Sequence, residues 1–163
     1  MTTKTVTKKT VKKKAPAKKV PAKKSSRTVK PNDIKPEIIV SGKCNTLSGK
    51  STLTYQTGVN TEGKIYIRIA NCSGGGFFSK NEWVSLDSIK TTLENIPDGS
   101  PITSLYLVPV FVGKSSNNAG FLLAALLNEG VVAPFDSKKK RHYVYKGIDK
   151  FLAKVNKRKA TKQ

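Results

Sequence analysis

The chain has 163 residues and a formal net charge of +21, which is room for one ordinary domain plus an appendage and far from the balance of a neutral enzyme. Two cysteines, Cys44 and Cys72, without Cys-x-x-Cys spacing and with a single histidine, His142, exclude a disulfide scaffold and a four-ligand structural zinc site. The longest apolar runs, Leu105–Val112 and Ala119–Leu127, are too short to span a bilayer, and the N-terminus has no apolar signal core.

The charge is unevenly placed. Residues 1–36 hold 13 Lys/Arg and one acid, a net of +12; residues 138–163 hold 11 Lys/Arg and one acid, a net of +10; residues 37–137 between them net −1. Blocks of like charge at chain ends are interaction tails rather than fold determinants. Residues 5–24 divide into the pentads TVTKK, TVKKK, APAKK and VPAKK. Lysine repulsion, two prolines and scant apolar mass predict that residues 1–36 stay disordered as tail and linker. Each lysine that neutralises a phosphate releases a condensed counterion, whatever the base sequence. The tail's candidate phosphate contacts are Lys8, Lys9, Lys12, Lys13, Lys14, Lys18, Lys19, Lys23, Lys24 and Arg27. A membrane anchor would call for an amphipathic face or a lipid signal, and the tail has neither.

In composition and in its repeated Pro-Ala-Lys-Lys unit, this tail resembles the basic tails of linker histones and of bacterial histone-like proteins. The resemblance covers about the first thirty residues and implies sequence-independent DNA contact. It does not extend into the rest of the chain.

From Glu37 onward the pattern predicts an α+β fold: a single compact domain of antiparallel strands with about three helices over 37–157, followed by a disordered basic end at 158–163. Glu37–Val40 and Ser51–Gln56 are the first strands, and the turn-rich 57–63 predicts a hairpin into Lys64–Ala70. There Ile65, Ile67 and Ile69 alternate with Lys64, Tyr66 and Arg68. Ser73–Gly76 predicts a flexible turn, and 79–86 suits either a fourth strand or a helix start. Residues 87–96 predict a helix with Asp87 as N-cap and Ile89, Leu93 and Ile96 on one face. Ile102–Val112 predicts a long apolar strand, bent or at an edge because of Pro109. Residues 119–129 predict a helix closed by Gly130, 131–146 a hairpin, and 150–157 a last amphipathic helix with Phe151, Leu152 and Val155 inward.

Gly49-Lys50-Ser51-Thr52 matches the end of a nucleotide-binding P-loop, but the glycine required four residues earlier is Cys44, and a strand follows where a helix should open. The segment predicts a polar turn. Acids are few and scattered, and His142 lies among cations without an evident orienting carboxylate, so no catalytic or metal constellation emerges. No cofactor is expected.

Two strand faces are candidate binding surfaces, because aromatics flanked by cations can stack bases while gripping phosphates. One is Lys64, Tyr66 and Arg68, with an ordinary solvent face as the competing reading. The other is Lys138, Lys139, Lys140, Arg141, Tyr143 and Tyr145, placed as a basic wing. The helix at 119–129 is too apolar to read base edges and predicts a core helix. Four strands and then a helix across 37–96 resemble the single-strand-binding transcriptional coactivator fold in element order, which implies Lys64, Tyr66 and Arg68 on its nucleic-acid face.

The expectation is a non-enzymatic nucleic-acid-binding protein, intracellular or packaged, with DNA ahead of RNA and a role in compaction or transcription regulation. The alternative is a protein-interaction module, such as a modulator of a host enzyme, localised to nucleic acid by its tail. No membrane partner is expected, and the sequence leaves the oligomeric state open.

Overall fold

A computed structural model describes residues 35–113, 115–136 and 141–162. Of the tail and linker expected at 1–36, residues 1–34 lie outside these, as do the lysines at 138–140, whereas Pro36 is buried in the fold. Four antiparallel strands form the main sheet in chain order: β1 (Glu37–Asn45), β2 (Thr52–Val59), β3 (Ile65–Cys72) and the two-residue β4 (Val84–Ser85). A second sheet pairs β5 (Val132–Pro134) with β6 (Tyr143–Tyr145). Three α-helices, α1 (Leu86–Glu94), α2 (Ser116–Asn128) and α3 (Asp149–Lys162), and a 3-10 helix at Ser104–Val110 complete the α+β architecture.

Alternation in β2 and β3 decides the layers. Leu53, Tyr55, Ile67 and Ile69 are buried together with Val40 of β1 and Val84 of β4, one side of a pleat whose register pairs Tyr55 with Ile69 and Thr57 with Ile67. Two bulges adjust this register: β1 gains a residue between Ile38 and Val40, and β3 gains one opposite the step from Thr54 to Tyr55. Helices α1 and α2 cover the buried side. Helix α2 buries Ala119, Leu122, Leu123, Ala124, Ala125 and Leu126, nearly its whole circumference, as a core helix should. Gly130, at φ +74°, takes the left-handed conformation that ends it.

The structure corrects several expected boundaries. β1 runs five residues past Val40, because Gly42 and Cys44 continue the pleat opposite Tyr55 and Leu53. Helix α1 is capped by Ser85, whose Oγ accepts from the Asp87 N–H at 3.2 Å, so Asp87 sits inside the first turn and Ile96 beyond the end. The apolar run Ile102–Val112 is not a strand. Ile102 alone makes a bridge, to Tyr143, and Ser104–Val110 turns with a period of three: Leu107 is buried, and Ser104 and Val110 are half-buried on the same side. Leu105 and Val108 consequently face out, 76 % and 49 % exposed. Helix α3 continues to Lys162 rather than ending at Lys157, since 158–162 contains no glycine or proline and is rich in good helix formers.

Candidate nucleic-acid interface

The outward side of β3 carries the first expected surface. Parity does put Tyr66 and Arg68 opposite the isoleucines, but this side is covered. Gly58, the register partner of Tyr66, lacks the side chain that would collide with Pro36 and Trp83: a Cβ there would stand 2.8 Å from the Pro36 Cβ and 3.1 Å from the Trp83 ring. Trp83 and Tyr66 are 8 % and 7 % exposed. Arg68 is engaged by three side chains. Its Nε and Nη2 donate to Gln56 Oε1 at 2.9 and 2.7 Å, its Nη1 to Asn81 Oδ1 at 3.3 Å, and its guanidinium lies 4.7 Å from the Trp83 ring centroid. Lys64, in the turn just before β3, pairs with Glu62 at 3.0 Å in the open. The hydrogen bond and charge of that lysine hold the Glu62 carboxyl below the usual carboxylate range. Tyr66 as a base-stacking platform is therefore corrected: its ring is a packing element.

The second expected surface divides. Arg141 is exposed, at φ +69°. Tyr143 is buried, and its backbone exchanges hydrogen bonds with Ile102, donating at 3.0 Å and accepting at 2.8 Å. Tyr145 is half-buried against the core. Burial raises both phenols above their ordinary pKa. The side shared by 143 and 145 thus turns inward, and neither tyrosine is a free stacking ring. His142 is half-buried in the hairpin, where its carbonyl accepts from the Phe135 N–H at 2.9 Å.

A cationic surface that was not expected lies on α3. Lys150, Lys154, Lys157 and Arg158 recur at i, i+4, i+7 and i+8, which is one stripe of a helix, and all four are exposed. The adjoining face sinks Phe151 and Val155 into the core. Lys154 differs from its neighbours: its Nζ donates to Glu129 Oε2 at 2.6 Å, and the Glu129 side chain is only 2 % exposed. The other Glu129 oxygen accepts a short hydrogen bond from the Tyr55 hydroxyl, which itself accepts from Asn128 Nδ2 at 2.9 Å. Burial first and the hydrogen bond to Glu129 second push the Tyr55 phenol well above its usual value. Burial, reinforced by the Glu129 charge, raises the neighbouring Cys44 thiol to about 11. The i, i+4, i+7, i+8 spacing was visible in the sequence; the Glu129 anchor, 25 residues from Lys154, was not.

A second buried carboxylate is structural. Glu82 Oε1 accepts the backbone N–H groups of Val112 and Gly113 at 2.6 and 2.7 Å, and its Oε2 faces Asn118 Nδ2 at 3.3 Å. It ties the approach to β4 to the loop before α2. The Gly-Lys-Ser-Thr segment is a turn in which the Thr46 N–H donates to Ser51 at 2.8 Å and Gly49 takes φ +71°, and it feeds a strand. Among the described residues no group of three or more His, Cys, Asp or Glu is placed to hold a metal ion, and no helix is long and apolar enough to cross a membrane.

No family model, curated protein or solved structure matches the chain. The β-β-β-β-α order across 37–94 is present, but the side expected to meet nucleic acid there is the one closed by Trp83, Pro36 and the partners of Arg68.

Proposed function

We propose that this is a non-enzymatic nucleic-acid-binding protein that grips phosphates through its basic ends, with DNA as the first partner to test. One observation carries the reading: nearly all the surplus charge lies outside residues 37–137, which net −1. A charge needed only for solubility has no reason to be segregated in this way, whereas a polyanion rewards its concentration. The near-neutral body supplies a fixed frame between the two basic ends.

The test is salt dependence. With about ten phosphates neutralised, log affinity for duplex DNA falls against log salt with a slope of about −9. Removing residues 1–34, which hold 12 Lys/Arg, cuts that slope by at least half while leaving Pro36 on Gly58. An affinity indifferent to salt, or to the truncation, refutes the reading.

A second reading rests on the exposed apolar side chains Phe77, Leu105, Val108 and Val112, at 80 %, 76 %, 49 % and 73 %. Apolar surface of this kind marks protein contacts, and the body would then engage a protein while the tail localises it. A stoichiometric partner retained after nuclease treatment, together with no affinity for duplex DNA, would favour that reading over the first.

A further inference from the structure

We infer that the outward stripe of α3 is a structured binding surface for the backbone of duplex nucleic acid, formed by Lys150, Lys157 and Arg158, with Lys154 set apart to fix the helix. This rests on the nucleic-acid reading above but assigns it a site distinct from the tail.

Arg68 is held by two amides and an indole, Lys64 by Glu62, Lys90 by Glu94 and Lys154 by Glu129. Among the described residues no carboxylate pairs with Lys150, Lys157 or Arg158. The helix has one acid, Asp149 in its first turn, about a quarter-turn away from the stripe at 3.6 residues per turn. Three unpaired cations therefore stand on one side of a rigid rod.

The spacing suits a rigid polyanion. A rise of about 1.5 Å per residue sets Lys150 and Lys157 about 10 Å apart along the axis, comparable with the roughly 12 Å width of the B-form major groove. The anchor makes this geometry dependable, because Glu129, itself bonded to Tyr55 of β2, holds α3 at its middle through Lys154.

The same face argues against other partners. A helix that binds a membrane surface inserts its apolar side, but here Phe151 and Val155 are 1 % and 0 % exposed within the core. Single strands are gripped by stacking as well as charge, and the stripe offers no aromatic ring. It also presents no amide to a base edge: Asn156 lies off the stripe by helical geometry, and the Thr161 hydroxyl donates to the Lys157 carbonyl at 3.1 Å. Contact is thus to phosphates and independent of sequence.

The experiment uses the full chain and DNA duplexes of about 20 base pairs and two unrelated sequences, titrated over a range of salt. The variant K150Q/K157Q/R158Q is compared with K43Q/K50Q/K90Q, which removes the same charge from exposed positions elsewhere. Far-ultraviolet circular dichroism confirms that both retain their helices. The α3 variant is expected to lose at least tenfold in affinity at about 0.1 M salt and to flatten the slope by about 2.7, three contacts at 0.9 each; the matched variant changes the slope by less than 1. Equal losses from the two variants overturn the α3 surface while leaving the tail's role intact. Absence of any duplex binding by the unaltered chain overturns both. Competition by poly-glutamate as effective as that by duplex DNA assigns the stripe to an acidic protein and overturns the proposal.

Discussion

The outward side of β3 and the outward side of α3 both present cations at the period of their element, yet the structure uses them in opposite ways. Around Arg68 the neighbouring strand and loop supply Gln56, Asn81 and Trp83, and the guanidinium becomes part of the packing. Around Lys150, Lys157 and Arg158 no acceptor is offered by the described residues, and the charge stays on the surface. The lesson is that a periodic cation is a binding residue only where its own fold leaves it without a partner. Spacing alone identifies the face and says nothing of what else lies on it.

The contrast is most strongly tested at the contact that keeps one lysine out of the α3 surface. Glu129→Ala removes the acceptor of the Tyr55 hydroxyl and the partner of Lys154 together. A loss of about 3 kcal/mol is expected, seen as a lower urea midpoint with an unchanged m-value. Salt dependence on DNA should not weaken, because Lys154 is released rather than removed. A stability change below about 1 kcal/mol would show that α3 is held by its apolar face alone.

The same network predicts a thiol effect. With its pKa near 11 against an ordinary 9.0, the Cys44 thiol at pH 8 is thiolate in about one molecule in a thousand, so iodoacetamide should modify it about a hundredfold more slowly in the native chain than in urea. A Cys72→Ala background isolates the signal. Because the folded pKa lies above the unfolded one, Cys44's contribution to stability is complete below pH 9 and is lost as pH rises toward 11. Equal alkylation rates in the native and unfolded chain would remove Cys44 from the Glu129 environment.

The smallest effect belongs to β3. Arg68→Gln should cost about 1 kcal/mol through the lost cation–π contact and the two hydrogen bonds to Gln56 Oε1, with the DNA salt slope unchanged. A slope reduced by about 0.9 would return this face to the interface.

These outcomes also show how far the sequence could be read. The isoleucine alternation of β3 and the apolar girth of α2 were legible because each element announces its own period. The 3-10 helix was not, since Leu105–Val112 is apolar at nearly every position and hides a period of three behind what looks like a buried strand; Pro109 hinted at irregularity without naming it. Parity puts Tyr66 and Tyr143 on the solvent side because it distinguishes two sides but cannot reveal that Trp83 lies on the side of one and that the other joins the core cluster. The roles of Glu82 and Glu129 are hidden from the sequence for a related reason. Each works across 25 to 74 residues of chain, on Val112, Asn118, Lys154 and Tyr55, and no local pattern records such distances.

Gly42 extends this further. A methyl group at that position would stand 2.2 Å from the Tyr55 ring, so the phenol can reach Glu129 only because β1 is bare there. The orientation of the carboxylate, and through it the seat of the cationic helix, depends on the emptiness of one site on the opposite side of the hydroxyl. Strand β1 thereby has a voice in where the lysines of α3 point.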